Sequence, residues 1–261
     1  MEFDGKVGLV TGAGSGIGRA AAEGLARRGA EVAVVGHSLD SAQEVVDGIR
    51  QVGGIAEAYA AELSEPEAVD ELFRQVAERW SRLDAVVANA GINGVWAPLE
   101  ELSADEWSHT IAVNLTGTFL TVKHALGLLK AAGGGAVVIT SSVNGTRVFS
   151  NSGASAYSSS KAGQVAFAKM AAVELARHRI RVNVVCPGAI ETEIDDNTEQ
   201  RNTDRLRPPV EYPDGQIPLT GQQPGSSAQV AELICFLSSD AASHITGTEV
   251  WIDGAQSLLV G

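Results

Sequence analysis

Apolar residues along this chain follow two alternating rhythms. Short runs are apolar almost throughout: Lys6–Thr11, Glu31–Val35, Ala56–Ala60, Ala85–Ala88, Ala136–Thr140, Arg181–Val185 and Thr248–Ile252. Strands that read this way, without polar alternation, are covered on both faces, as in a parallel sheet. Between them, helical stretches are predicted near 16–29, 40–52, 65–80, 104–131, 154–177 and 226–238. Two of these starts carry Ser-x-x-Glu, at Ser64 and Ser103, the pattern of a capping box. Strand and helix alternate without a linker or repeat, which predicts one α/β domain: a doubly wound parallel sheet of about seven strands with helices on both faces. Only residues 190–223 break the rhythm. They are rich in Pro, Gly, Asp and Asn, and a segment of this length inside a compact domain is expected to be functional, here a lid.

Composition sharpens the picture. Of 261 residues, 44% are hydrophobic, enough for a sizeable core, and the formal net charge of −13 disfavours nucleic acid and anionic membrane surfaces as partners. The two cysteines, Cys186 and Cys235, sit in apolar segments and form neither a disulfide framework nor a metal-ligand spacing, so no metal site is expected. No apolar run approaches the ~18 residues of a membrane span, and the N-terminus leads almost directly into a strand; a cytoplasmic protein is expected.

The first strand runs into Thr11-Gly12-Ala13-Gly14-Ser15-Gly16-Ile17-Gly18 and then an Ala-rich helix. Glycines allow a tight turn and close backbone approach to a pyrophosphate, while the helix N-terminus offers free N–H groups and a positive dipole end. Further along, Tyr157 and Lys161 are four residues apart on a predicted helix and so share a face. A phenol with an ordinary pKa near ~10 is a poor acid/base at neutral pH, and a neighbouring ammonium improves it by favouring the phenolate.

Gly-x-x-x-Gly-x-Gly after Thr11, Asn89-Ala90-Gly91 after the fourth strand, Asn114, Ser142, the Tyr157-x-x-x-Lys161 pair, Pro187-Gly188 and the final Val250–Gly254 occur in one order over nearly the whole chain. In this the sequence resembles the short-chain dehydrogenase/reductase family. The resemblance implies a Rossmann fold, hydride transfer between a nicotinamide dinucleotide and a ketone or secondary alcohol, and a homotetramer formed partly through the 104–131 and 154–177 helices. It implies Tyr157 as acid/base and Lys161 as its partner and a ribose ligand. Ser142 would stabilise charge on the substrate oxygen, and Asn114 would hold a water in a proton relay. Fourteen residues separate Ser142 from Tyr157, about two more than is usual in the family, which also leaves Ser141 as a candidate; Gly145, three residues on, favours Ser142.

The end of the second strand reads Gly36-His37-Ser38, with no carboxylate to grip the ribose diol of NAD. The pattern slightly favours NADP(H) over NAD(H) and leaves dual use open, because neutral His is a weak phosphate anchor. Glu62-Leu63 stands where the family places residues against the adenine. Pro187, Gly188, Ile190 and Thr192 would meet the nicotinamide. Asn144, Phe149 and Ala189 are candidate substrate contacts together with Trp96, which could equally be packing. Residues 190–212 carry seven acidic side chains against Arg201, Arg205 and Arg207. That balance disfavours a 3-oxoacyl thioester on an acidic carrier, the alternative substrate class. The rival to an enzyme is a nucleotide sensor that kept the fold and lost the chemistry, but such relatives usually lack the Tyr or the Lys present here.

Overall fold

All seven apolar runs are strands, each within two residues of its expected bounds. The structure is a computed structural model and describes residues 1–192, 198–206 and 217–259. In chain order the elements are β1 (Val7–Thr11), α1 (Gly16–Arg27), β2 (Glu31–Gly36), α2 (Leu39–Gln51), β3 (Ile55–Ala60), α3 (Pro66–Arg79), β4 (Ala85–Ala88), β5 (Gly94–Trp96), α4 (Ala104–Ile111) and α5 (Gly117–Ala131). They continue with β6 (Gly135–Thr140), α6 (Ser155–Leu175), β7 (Ile180–Pro187), β8 (Ile190–Glu191), β9 (Thr198–Gln200), β10 (Gly225–Ser226), α7 (Ser227–Ser238) and β11 (Glu249–Ile252).

The main sheet has the order β11-β7-β6-β4-β1-β2-β3, parallel throughout. The chain winds outward from β1 to β3 and then returns to β4 on the other side of β1. That reversal opens a crevice beyond the carboxyl ends of β1 and β4, where ligands of such sheets bind. One face is covered by α3, α5 and α6 through Leu72, Phe73, Leu129, Val165 and Leu175. The other is covered by α1, α2 and α7 through Leu25, Val45, Ile49, Val230 and Ile234.

One of the two expected capping boxes is present and the other is not. The Ser103 capping box forms, with Ser103 Oγ accepting from the Glu106 amide at 3.2 Å and the Glu106 carboxylate accepting from the Ser103 amide at 2.8 Å. The Ser64 box does not form. Glu65 is the N-cap of α3 because Pro66 occupies the first helical position, which leaves Ser64 one residue too early; its hydroxyl donates to Glu62 at 2.7 Å instead. The single helix expected over 104–131 is broken by a π-helical segment, Ala112–Thr116, centred on buried Asn114. Of the expected lid at 190–223, residues 193–197 and 207–216 lie outside the described residues, Arg207 among them. Within the rest, β8 pairs with β10 just beyond the segment, β9 pairs with β5, and Thr203–Leu206 is a short 3-10 helix. Among the described residues no helix is long and apolar enough to cross a membrane, and no group of His, Cys, Asp and Glu could hold a metal ion.

Candidate active site

The glycine turn after β1 is held from three sides. The Thr11 hydroxyl accepts from the Asn89 and Ala90 amides at 3.1 and 3.2 Å, the Asn89 side-chain amide donates to the carbonyls of Thr11 and Gly12 at 3.2 and 3.3 Å, and Ala13 N–H donates to Val35 O at 2.9 Å. Asn89-Ala90-Gly91 is therefore a buttress that locks β4 to the end of β1. Two glycines have no substitute here. Gly12 has φ +61° and a Cβ would lie 2.7 Å from Ala90 Cα; at Gly18 a Cβ would lie 2.1 Å from Gly12 O, so α1 could not approach the turn. Ser15 is the N-cap of α1 yet makes no side-chain cap bond, and the first turn has no acidic residue. The N–H groups of that turn are thus left for an anion.

This turn walls a cleft of about 700 Å³ that runs along the carboxyl ends of β1, β4, β6 and β7. Gly12, Gly14, Ser15, Gly16, Ile17, Asn89, Ala90 and Gly91 line one side; Ser142, Tyr157, Lys161, Pro187, Gly188, Ile190 and Thr192 line the other. Buried Thr140 Oγ1, also on the wall of the cleft, has no protein hydrogen-bond partner. The size, the uncapped helix end and this orphaned hydroxyl fit a dinucleotide.

Tyr157 sits in the first turn of α6, nearly buried, and Lys161 follows one turn later, 3% exposed. Lys161 Nζ lies 5.5 Å from the centre of the Tyr157 ring and donates to Thr140 O at 3.0 Å. Burial lowers its pKa from the ordinary 10.5 to about 8. The two serines after β6 divide their roles. Ser141 Oγ donates to the Lys161 carbonyl at 2.9 Å, whereas Ser142 Oγ accepts from the Asn144 amide at 3.1 Å and keeps its own hydrogen for the cleft. Gly145 has φ +78° and its Cβ would meet Ser158 O at 2.1 Å, so the turn after Ser142 packs directly on α6.

Asn114 does not line the cleft. Its side chain accepts from Ile92 N–H at 2.8 Å and donates to Ile92 O and Ser160 Oγ at 2.9 and 3.0 Å, while its carbonyl accepts from Thr118 Oγ1 and Gln164 Nε2. Gly91 lies between Asn114 and Lys161: a Cβ there would lie 3.1 Å from Asn114 Oδ1 and 3.4 Å from Lys161 Nζ.

At the far end His37 lines the cleft, together with Arg19, Ser41 and Glu44, which sequence reasoning missed. They come from the approach of α1 to α2, which no local pattern announces. Arg19 is tied to Glu23 and Glu44, each at 3.0 Å. His37 Nδ1 is 3.5 Å from Glu62 Oε2. Burial opposes ionisation of Glu62, but hydrogen bonds from Ser64 and the nearby His37 and His109 hold its carboxyl below the ordinary range. Ser38 caps α2, accepting from Ser41 N–H at 3.3 Å, and Gly36 makes room for the turn, with Ser38 O 2.7 Å from where its Cβ would be. Leu63 is buried in the core.

The candidate substrate contacts separate. Trp96 faces Tyr157, ring centres 6.4 Å apart. Asn144 accepts from Asn151 Nδ2 at 2.8 Å, and the exposed Ala189 donates its amide to Gln256 Oε1 at 2.9 Å. Phe149 is exposed and lines a separate recess of about 390 Å³ with Leu206 and Ser158.

A family model described as Enoyl-(Acyl carrier protein) reductase matches residues 12–255. The chain is 37% identical to cyclohexanol dehydrogenase of Acinetobacter sp. (strain SE19), covering 97% of this chain and 96% of that one. It is 34% identical to levodione reductase of Leifsonia aquatica, covering 98% and 96%. Among solved structures, a 3-ketoacyl-ACP reductase from Sinorhizobium meliloti 1021 superposes with a TM-score of 0.94 at 53% identity, covering 97% of this chain and 99% of that one.

Proposed function

The chain belongs to the short-chain dehydrogenase/reductase family, an NAD(P)-dependent oxidoreductase acting on alcohol and ketone groups, and from that premise we propose how its residues divide the reaction and which substrates they suit. The observation that carries the reading is the pairing of Tyr157 with buried Lys161 across the cleft from the glycine turn. The dinucleotide, when bound, supplies or accepts the hydride. The first turn of α1 would hold its pyrophosphate and Lys161 its nicotinamide ribose. Pro187, Gly188, Ile190 and Thr192 would orient its nicotinamide end. In the reducing direction Tyr157 Oη donates a proton to the substrate oxygen as negative charge develops there. Ser142 donates a hydrogen bond to the same oxygen, an arrangement that holds more tightly in the transition state than in the ground state. The Lys161 ammonium stabilises the phenolate left behind; it would pass a proton on to Tyr157 Oη and be reprotonated from solvent through a water held by Asn114, which lies beside Gly91 in the π-helical segment.

NADP(H) is used in preference to NAD(H), with both accepted. No carboxylate stands at Gly36 and His37 lines that end of the cleft, but Arg19 is shared with Glu44 and the Ser41 hydroxyl donates to Ser38 O. The substrate is an uncharged ketone or secondary alcohol, with a ring such as the cyclohexanol named for the Acinetobacter relative, lying against Trp96. A 3-ketoacyl carrier substrate is the second reading, favoured by the 53%-identical Sinorhizobium meliloti structure. Against it, Arg201 and Arg205 lie against Glu101, Glu106 and Glu199, so they offer little net positive charge to an acidic carrier. The protein assembles as a homotetramer through the outer faces of α5 and α6, where Phe119 meets Phe167 and Met170 and Val173 are exposed.

The test follows absorbance near ~340 nm with NADPH and separately NADH, using cyclohexanone and a 3-oxoacyl thioester. Faster turnover of the ring ketone with NADPH is expected. Preference for the thioester would overturn the substrate reading, and preference for NADH would overturn the cofactor reading.

A further inference from the structure

Trp96 reaches Tyr157 from a strand of only three residues, and among the described residues its sheet partner is another of three, β9, paired as Gly94 with Thr198, Val95 with Glu199 and Trp96 with Gln200. A two-stranded ladder this short has little stability of its own. Something else must hold it.

The residue directly after β9 is Arg201. Its backbone N–H donates to Trp96 O at 2.9 Å. Its guanidinium reaches across to the start of α4, with Nη1 3.0 Å from Glu106 Oε1, Nη2 3.0 Å from Glu106 Oε2 and Nη2 2.7 Å from the Glu101 carbonyl. Glu106 is itself fixed, because the same carboxylate closes the capping box of α4 on Ser103. The planar fork of arginine matches both carboxylate oxygens, a match that a lysine ammonium cannot make. The Arg201 hydrogen bond is also the main reason the Glu106 carboxyl is held down to about 2, so the pair stays charged over the working pH range. Asn93 Nδ2 donating to Thr198 Oγ1 at 2.7 Å and Asn202 Nδ2 donating to Glu101 Oε2 at 2.8 Å bind the same two stretches of chain.

We infer that Arg201 is a positioning residue that acts through Trp96: by stapling β9 to the start of α4 it fixes the indole as one wall of the substrate space beside Tyr157. This rests on the ring-ketone reading above. It gives β9 and the arginine that follows it a part in substrate selection.

The test uses the full chain with Arg201→Ala, Arg201→Lys, Trp96→Ala and the double variant Arg201→Ala/Trp96→Ala, with cyclohexanone and NADPH. Arg201→Ala is expected to raise the KM for cyclohexanone about tenfold, the loss of one aromatic contact. The kcat and cofactor affinity should stay within about threefold, with Arg201→Lys falling between. In the Trp96→Ala background the same change should add nothing, since the two act as one unit. Hydrogen exchange should quicken at 94–106 in Arg201→Ala and stay unchanged in the glycine turn and α6. Equal KM effects in both backgrounds, or unchanged exchange at 94–106, would overturn the inference. If the wild type does not turn over cyclohexanone, the substrate reading fails while the exchange experiment still decides the staple. Should Arg201→Ala not fold, Glu106→Gln weakens the same fork and is read in the same way.

Discussion

Lys161 Nζ lies 5.5 Å from the centre of the Tyr157 ring, one helical turn away, and its hydrogen bond to Thr140 O anchors it to the end of β6. The ammonium is thus held by the sheet while the phenol is held by the helix. Their separation depends on the packing of α6 against β6 and not on either side chain alone.

Tyr157→Phe removes the hydroxyl and little else. Turnover should fall by about 10²- to 10⁴-fold, the usual contribution of a positioned acid, with dinucleotide binding retained. Fluorescence titration of the cofactor beside steady-state rates checks this; appreciable residual turnover would remove Tyr157 from its assigned role.

The buried lysine makes stability depend on pH with a definite sign. In the folded chain Lys161 loses its proton near about 8, in the unfolded chain near 10.5. Below about 8 both states bind the proton and stability does not change through this group. Between the two values the unfolded chain binds more protons, so stability rises with pH, by about 3 kcal/mol in total. Denaturant unfolding from pH 7.5 to 11 should show this rise relative to Lys161→Met. Parallel curves for the two proteins would contradict it.

Two glycines should respond oppositely to alanine. Gly18→Ala places a Cβ 2.1 Å from Gly12 O and is expected to cost about 3 kcal/mol or more and abolish dinucleotide binding. Gly48, inside α2, has nothing within 4 Å of its Cβ position. Gly48→Ala should therefore stabilise by about 0.5–1 kcal/mol. Thermal unfolding of both variants decides the point.

His37→Arg places a permanent cation at the end of the cleft where the proposed reading puts the adenosine. The KM for NADPH should fall about tenfold with that for NADH nearly unchanged, because only NADPH carries the 2′-phosphate. An equal effect on both cofactors would mean that residue 37 does not meet this phosphate.

The strands and most helices were legible because their signals are local: an unbroken apolar run reads as a strand covered on both faces, and the Ser103 box carries its own capping chemistry. Ser64 shows the limit of such signals, since one proline at the next-but-one position moves the helix start and leaves the serine to bond Glu62. The residues lining the cleft at Tyr157, Lys161 and the glycine turn were likewise visible as motifs.

Other features depend on which distant segments meet. The division between Ser141 and Ser142 is decided by the Lys161 carbonyl of α6, and Arg19, Ser41 and Glu44 join the cleft only because α1 and α2 converge there. The π-helical turn around Asn114 has no signature in composition, and it forms where Ile92, Ser160 and Gln164 close on one asparagine. Nor does any local rule bring Arg201 to Glu106 or Trp96 to Tyr157. Backbone periodicity, caps and the need for glycine at a crowded turn are written into neighbouring residues and can be read in order. Which hydroxyl, cation or indole faces the substrate is set by close packing between elements far apart in the chain, and only the assembled sheet and its helices bring those contacts into being.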